Sequence, residues 1–288
     1  MSKVLVLGAN GMLGSQVIET LKHKKINVYS TKANTDGPKN FQYRFGIDDL
    51  EQIISKIPDL DYVFNCIGAI PQRVTKPENF KINWELPLLL QNLAEKAGFK
   101  VIQIASDCAF DGFTGRYSEE DSTSAKDAYG ESKVLGEIIS PKFMHIRCSV
   151  IGNDEESRSL RSWLISHEKN SVVPGYINHF WNGVTTLSFA KVTAEIVLND
   201  SFVPGVHHLV PSSIVTKYEL LKLIARSENR LDLSILPHET ETKVDRTLTT
   251  IAPDFNQALW KQGGYDLIPS VEDLVIEFAI RNRQKKRR

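Results

Sequence analysis

The sequence predicts an α/β fold: a doubly wound parallel sheet with helices on both faces, followed by a smaller C-terminal lobe. Three observations predict it. Short apolar runs alternate with helically spaced stretches through the first half of the chain, as strand–helix–strand crossovers require. A glycine-rich turn lies directly between the first apolar run and the first helical stretch. Past Gly152 the alternation loosens, as where a sheet domain gives way to a second lobe. The 288 residues, 41% hydrophobic and 24% charged, suffice for a large core and are too apolar for a disordered chain.

In chain order, residues 4–7 form a short apolar run that reads as a strand, and 14–23 as the helix after the glycine turn. Residues 28–30 give a second strand, 50–57 a helix, and 63–67 another strand. Residues 77–97 read as a long crossover helix with Phe80, Trp84, Leu88 and Leu89 near one face. Residues 101–106 and 144–150 are the next strands, with a helix at 126–139 between them. Beyond Gly152, residues 159–169, 186–198 and 217–225 have helical spacing, 206–210 reads as a strand and 235–237 as an extended piece. No internal repeat or low-complexity linker interrupts the chain. The expected division is residues 1–152 plus about 178–210 for the sheet domain, and about 153–177 plus 211–288 for the lobe. The basic end, residues 281–288, is expected to be a solvated, mobile tail.

Composition narrows the function. Lysine and arginine number 35 and aspartate and glutamate 35, so there is no basic surplus of the kind a general nucleic-acid binder carries. The apolar run at 4–7 is too short for a signal-peptide core, and no stretch of about 18 apolar residues predicts a membrane span. Three cysteines, Cys66, Cys108 and Cys148, form no paired or zinc-binding spacing, which suits a reducing cytoplasm.

The turn Gly8-Ala9-Asn10-Gly11-Met12-Leu13-Gly14 spaces its glycines three and three after a strand and before a helix. A dinucleotide needs this arrangement. The first glycine makes the tight turn, the second lets backbone approach a pyrophosphate, and the third lets helix pack on strand. The helix N-terminus then offers free N–H groups and a positive dipole end to the phosphates. The sheet domain is therefore expected to be Rossmann-type. At the end of the second strand, Tyr29-Ser30-Thr31-Lys32 lacks the carboxylate that holds adenosine ribose hydroxyls in NAD binders. Hydroxyls from Ser30 and Thr31 and the charge of Lys32 suit a 2′-phosphate, favouring NADP(H) over the alternative, NAD(H).

Tyr129-Gly130-Glu131-Ser132-Lys133 puts a phenol and an ammonium at i and i+4, on one helix face. An adjacent ammonium is expected to lower the phenol pKa, and such a tyrosine can exchange a proton with a carbonyl oxygen as hydride is transferred. Lys133 can also hold nicotinamide ribose hydroxyls. The run at 101–106 ends at Ser106, at the carboxyl edge of the sheet where ligands sit in open α/β folds.

Together these residues resemble the extended short-chain dehydrogenase/reductase superfamily, and within it the dTDP-4-dehydrorhamnose reductase family of nucleotide-sugar 4-keto reductases. The resemblance covers almost the whole chain. Asn65-Cys66-Ile67-Gly68-Ala69 resembles the run that lines the cofactor, and Asn83 matches the helix asparagine that supports the active site. Ser106-Asp107-Cys108-Ala109-Phe110-Asp111-Gly112 resembles the family's Thr-Asp-Tyr-Val-Phe-Asp-Gly signature, and Tyr129 and Lys133 match its catalytic pair. Trp181-Asn182-Gly183-Val184-Thr185 lies where the family has Gly-x-Pro-Thr, and Asp245-Arg246-Thr247-Leu248 resembles its Arg-Pro motif.

The resemblance implies hydride transfer from NADPH to the C4 ketone of a 4-keto-6-deoxy nucleotide-diphosphate sugar. Tyr129 would be the acid, Lys133 its tuner, and Ser106 the carbonyl donor. Arg246 would pair with the diphosphate. Cys108, Phe110, Trp181 and Asn182 would line the sugar–nucleotide cleft, and relatives commonly form homodimers. The sequence departs from the pattern at two places. Cys108 stands where the signature has tyrosine, and Gly46, in Arg44-Phe45-Gly46-Ile47-Asp48, stands where an adenine-contacting aspartate is usual, leaving adenine to backbone around Ile47. The acidic cluster that binds metal in some members is not evident, so no metal is expected. Cys108 with His179 resembles the cysteine–histidine pair of GDP-fucose synthase, which implies a 3,5-epimerase/4-reductase alternative. The regulatory subunit of methionine adenosyltransferase resembles the same family, so a non-catalytic NADP-binding role is a third reading. A dehydratase would follow the hydroxyl residue with Asp-Glu, whereas Asp107 is followed here by Cys108.

Overall fold

Two strands at the centre of the molecule set its layout. Lys3–Leu7 (β1) buries four of its five side chains and Tyr62–Asn65 (β4) all four, as strands covered by helices on both faces must. In the computed structural model, which describes residues 2–34, 37–70, 75–154 and 159–286, they pair in parallel, with Val4 opposite Tyr62 and Leu7 opposite Asn65. On the other side of β1 lie Asn27–Lys32 (β2) and then Asn40–Gln42 (β3). Beyond β4 lie Lys100–Ala105 (β5), Phe143–Arg147 (β6) and, at the far edge, a strand at Gly205–His208. All seven strands run parallel, in the Rossmann-type order expected from the sequence. The order reverses between β1 and β4, so a crevice opens at their carboxyl ends.

Met12–His23 (α1) packs its apolar stripe, Leu13, Val17 and Leu21, under one face, and ends on Lys22 and His23, cations that suit the negative end of a helix. Leu50–Ser55 (α2) begins on Asp49, whose carboxylate accepts from the Gln52 N–H at 3.1 Å. The long crossover differs from the expected regular helix. Lys76–Phe80 (α3) runs into a π-helical turn at Lys81–Glu85 before Leu86–Ala97 (α4) resumes. Widening the helix by one residue per turn rotates the buried face. Asn83, Leu86, Leu90 and Leu93 point inward, while Phe80, Trp84, Leu88 and Leu89 are only partly buried. Ala128–Leu135 (α5) is shorter than the expected 126–139 and is capped by Asp127, which accepts from Gly130 N–H at 2.8 Å.

Val150–Ile151 (β7), Leu160–Ile165 (α6), Val172–Tyr176 (β8), His179–Trp181 (β9) and Val184–Thr185 (β10) carry the chain into and back out of a second cluster of buried residues. Thr186–Leu198 (α7), apolar nearly all round, packs against α1 and leads to the edge strand, β11. Val215–Thr216 (β12) pairs antiparallel with β9, with Val215 opposite Trp181, and opens Lys217–Ser227 (α8) through a Thr216/Glu219 capping box. Ser234–His238 (β13) pairs with β8, and Val244–Asp245 (β14) with β9. Two helices follow that periodicity did not single out, Pro253–Gln262 (α9) and Val271–Lys286 (α10). The second of these corrects the mobile-tail expectation. Helix continues to residue 286, Asn282 is buried against Asn153 at 2.7 Å, and Arg281 pairs with Glu19 at 3.1 Å. Arg287 and Arg288 lie outside the described residues. Among the described residues no helix is long and apolar enough to cross a membrane.

Candidate active site

The crevice at the switch point is built first from backbone. Gly8 has a φ of +77°, and a side chain at Gly14 would place its Cβ 2.2 Å from the Gly8 carbonyl oxygen. Only glycine lets the turn fold this tightly against the helix. Gly11 caps α1 with no side-chain hydrogen bond to the helix, so the first N–H groups remain open toward the cleft. On the opposite wall, Asn65 accepts from Ile67 N–H at 3.2 Å and donates to Gln103 at 2.9 Å, fixing the course of residues 66–68. The π turn serves the same wall. Asn83 donates to the Ala69 carbonyl and accepts from its N–H, both at 2.9 Å, and donates to Ser132 at 3.0 Å. It therefore ties the loop after β4 to α5.

Helix α5 brings the reacting groups in. Gly130 packs on β5's exit loop so closely that a Cβ there would lie 2.3 Å from the Cys108 carbonyl oxygen. That contact seats Tyr129 in the same cleft as Ser106. Lys133, one helical turn on and buried, donates to the Ile104 carbonyl at 2.8 Å. Gly11, Met12, Leu13, Cys66, Ile67, Gly68, Ser106, Cys108, Tyr129 and Lys133 line a single cleft of ≈ 380 Å³.

Electrostatics in the cleft differ from expectation in one respect. Burial pushes the Tyr129 hydroxyl above its ordinary value, Cys108, Asp107 and Asp127 push the same way, and the Ser106 hydroxyl opposes them. Lys133 is not what sets it. Its ammonium is committed to the Ile104 carbonyl, and burial lowers its own pKa. The phenol is thus held protonated, the state an acid needs. Burial also pushes the Cys66 and Cys108 thiols up to about 12 and raises Asp107.

Other residues singled out from sequence sit elsewhere. Asn10 is exposed and outside the cleft lining. Ser30 is spent on Asn40 of β3 at 2.6 Å, and Thr31 accepts from Gly8 N–H at 3.2 Å and so braces the glycine turn. Lys32 makes no ion pair among the described residues and remains an available cation at the end of β2. Ile47 is 71% exposed. Phe110 takes no place in the cleft. Its ring is 0% exposed and stacks on Tyr117 at 4.3 Å, leaving only its carbonyl, which accepts from Arg246 Nε at 2.9 Å. Asn182 is likewise internal, clamping Leu248 by N–H and carbonyl at 2.9 and 2.7 Å and so fixing the segment that carries Arg246. The Trp181 indole N–H donates to Ser149 at 2.8 Å. His179 is held by Thr240 at 2.8 Å.

Sequence reasoning missed Asp107, Ser149 and Lys217. Asp107 and Ser149 line the cleft, and the Lys217 ammonium acts on Asp107 from the lobe. One signal was available: a lysine in the first turn of a helix opposes the helix dipole and asks for a reason.

A family model for the RmlD substrate binding domain matches residues 2–248. The chain belongs to the RmlD family. The resemblance read from the residues, to extended short-chain dehydrogenase/reductases of the dTDP-4-dehydrorhamnose reductase type, is borne out at the level of family and fold. This RmlD-family chain is 27% identical over 230 residues to a probable low-salt glycan biosynthesis reductase, Agl14, of Haloferax volcanii, spanning 73% of this chain and 75% of that one. It is 24% identical over 247 residues to methionine adenosyltransferase 2 subunit beta of Danio rerio, spanning 82% and 76%. Among solved structures, the dTDP-4-dehydrorhamnose reductase of Bacillus anthracis in complex with NADP shares the fold with a TM-score of 0.78 at 18% identity, covering 98% of this chain and 100% of that one.

Proposed function

We propose that this protein uses NADPH to reduce the C4 ketone of a 4-keto-6-deoxy nucleotide sugar during glycan assembly. The observation that carries the reading is the convergence of Ser106, Tyr129 and Lys133 in one cleft with the glycine turn and the open N-terminus of α1. The residues fit a dinucleotide. Gly8 and Gly14 let the turn fold tightly against the helix, Gly11 carries no side chain where a pyrophosphate would approach, and Lys32, with no carboxylate beside it in β2, suits a 2′-phosphate.

When bound, the reduced nicotinamide supplies hydride. The chain's own groups do the rest. Ser106 donates to the ketone oxygen and fixes it against Tyr129. Tyr129, held protonated, gives its proton to that oxygen as negative charge develops there. Lys133, oriented by Ile104, would offer its remaining N–H groups to ribose hydroxyls of the dinucleotide. Ser132, bonded to Asn83 and donating to the Tyr129 carbonyl at 2.8 Å, keeps α5 from rotating.

Two other readings are weaker. An epimerase would need a thiolate at Cys108, yet that thiol sits at about 12, and His179 is spent on Thr240. Solvent deuterium entering at C3 or C5, and lost in Cys108→Ser, would revive it. A non-catalytic, NADP-binding partner is favoured by the likeness to methionine adenosyltransferase 2 subunit beta. NADPH oxidation with a 4-keto-6-deoxy nucleotide sugar separates it from the reductase. Tyr129→Phe is expected to cut kcat by about 10²–10⁴ while leaving NADPH affinity intact. Turnover unaffected by that substitution would remove Tyr129 as the acid.

A further inference from the structure

Two cations in the lobe have no ion-pair partner among the described residues. Lys217 is half-buried, yet its ammonium makes no hydrogen bond and has no carboxylate within 4 Å among the described residues. Arg246 spends only Nε, on the Phe110 carbonyl, and its two terminal nitrogens have no acceptor among the described residues. Unpaired charge out of water is costly unless something offsets it.

Their setting is built. Val215 of β12 lies opposite Trp181 of β9, which brings Lys217, two residues on, over the indole ring at 5.4 Å. The same indole donates to Ser149, which lines the cleft together with Asp107. Arg246 is fixed from below by Asn182 through Leu248 and by its own bond to Phe110. Lys217 and Arg246 act on each other and on Asp107 and Cys108, the two cleft residues that follow Ser106. The α8 helix adds its positive end at Lys217, since Glu219 is consumed by the Thr216 cap. Asp107 supplies one negative charge against two cations and is itself raised by burial. The surplus beside the reacting group is positive.

We infer that Lys217 is a specificity-determining residue that, with Arg246, takes an anionic oxygen of the substrate next to the Ser106–Tyr129 site. The inference rests on the cleft being a nucleotide-sugar site. Anionic oxygen of this kind comes from the diphosphate or from a carboxylate on the sugar. Lys217 holds it as a point charge on the Trp181 face, and Arg246 as a planar fork. Free Lys217 is pulled down to about 8 chiefly by burial, which an arriving anion reverses.

The test is calorimetric, on the full chain. Uridine diphosphate, UDP-glucose and UDP-glucuronic acid are titrated into wild type, Lys217→Met and Lys217→Arg, with NADPH as a folding control. Loss of uridine diphosphate affinity by about tenfold or more in Lys217→Met, recovered in Lys217→Arg at unchanged NADPH affinity, places the anion on the diphosphate and supports the inference. A Lys217→Met protein that keeps uridine diphosphate but no longer prefers UDP-glucuronic acid to UDP-glucose supports it with the carboxylate as the source. Unchanged affinities for all three ligands in Lys217→Met overturn it. Failure of the reductase reading has a different signature: wild type binds these ligands through Lys217 yet oxidises no NADPH with any 4-keto sugar.

Discussion

At the scale of single residues, the site depends on side chains that hold its walls together. Asn83 uses its carbonyl oxygen and both amide hydrogens on Ala69 and Ser132. Aspartate there could still accept from Ala69 N–H but would turn an oxygen on the Ala69 carbonyl and lose the bond to Ser132. Asn83→Asp is expected to destabilise the protein by about 2–3 kcal/mol, read as a lower urea midpoint at unchanged m. A midpoint equal to wild type would show that the clamp is not needed. This residue was legible in the sequence through the family's motif, as were Ser106, Tyr129 and Lys133. Phe110 and Asn182 lay in equally recognisable segments, but a motif does not say which way a side chain points. One is packed against Tyr117 and the other is turned onto Leu248. Lys217 showed in the sequence only as a lysine against the helix dipole, because its neighbours, Trp181 and Asp107, arrive from distant parts of the chain.

At the scale of elements, apolar runs predicted the central strands well, since β1 and β4 are buried on both faces and read as continuous hydrophobic stretches. They failed at the crossover after β4, where the π turn at Lys81–Glu85 shifts the inward face by a residue, a change no regular period anticipates. They also missed α10. Its charged end looked like a free tail, but its inner stripe, Val271, Leu274, Val275 and Phe278, is fully packed, and Ser270 bonds Asp273 to start it. Phe278→Ala is therefore expected to cost about 3–5 kcal/mol, whereas deleting residues 281–288 removes one buried amide pair and some exposed ion pairs, about 1–2 kcal/mol. Chemical denaturation of the two variants checks the order. A deletion as damaging as Phe278→Ala would mean that the basic end contributes far more than its contacts suggest.

At the scale of the whole molecule, two buried histidines tie the fold to pH. His145 bonds the Ile138 carbonyl at 2.9 Å, and His208 lies between the Thr249 carbonyl at 2.7 Å and the Arg147 guanidinium at 2.9 Å. Burial holds both near 4, and a proton on His208 Nε2 would face Arg147 directly. A folded value below the unfolded one means that the unfolded chain binds more protons. The stability these residues contribute is present above about 6.5 and drains as pH falls toward 4. Each accounts for about 2 kcal/mol of the loss between pH 6.5 and 4.5. His208→Asn is expected to reduce the slope of stability against pH near 5.5 by roughly one proton. An unchanged slope would show that His208 titrates alike in both states.

Whether Tyr129 and its neighbours carry out a reduction, rather than simply hold a nucleotide, decides what the protein does. The most direct measurement follows deuterium from C4-deuterated NADPH, offered with a 4-keto-6-deoxy nucleotide sugar, by mass spectrometry and NMR of the product. Label at sugar C4 with wild type, arriving about 10²–10⁴ times more slowly with Tyr129→Phe, is the predicted result. Tight NADPH binding with no label reaching C4 of any 4-keto nucleotide sugar would contradict it.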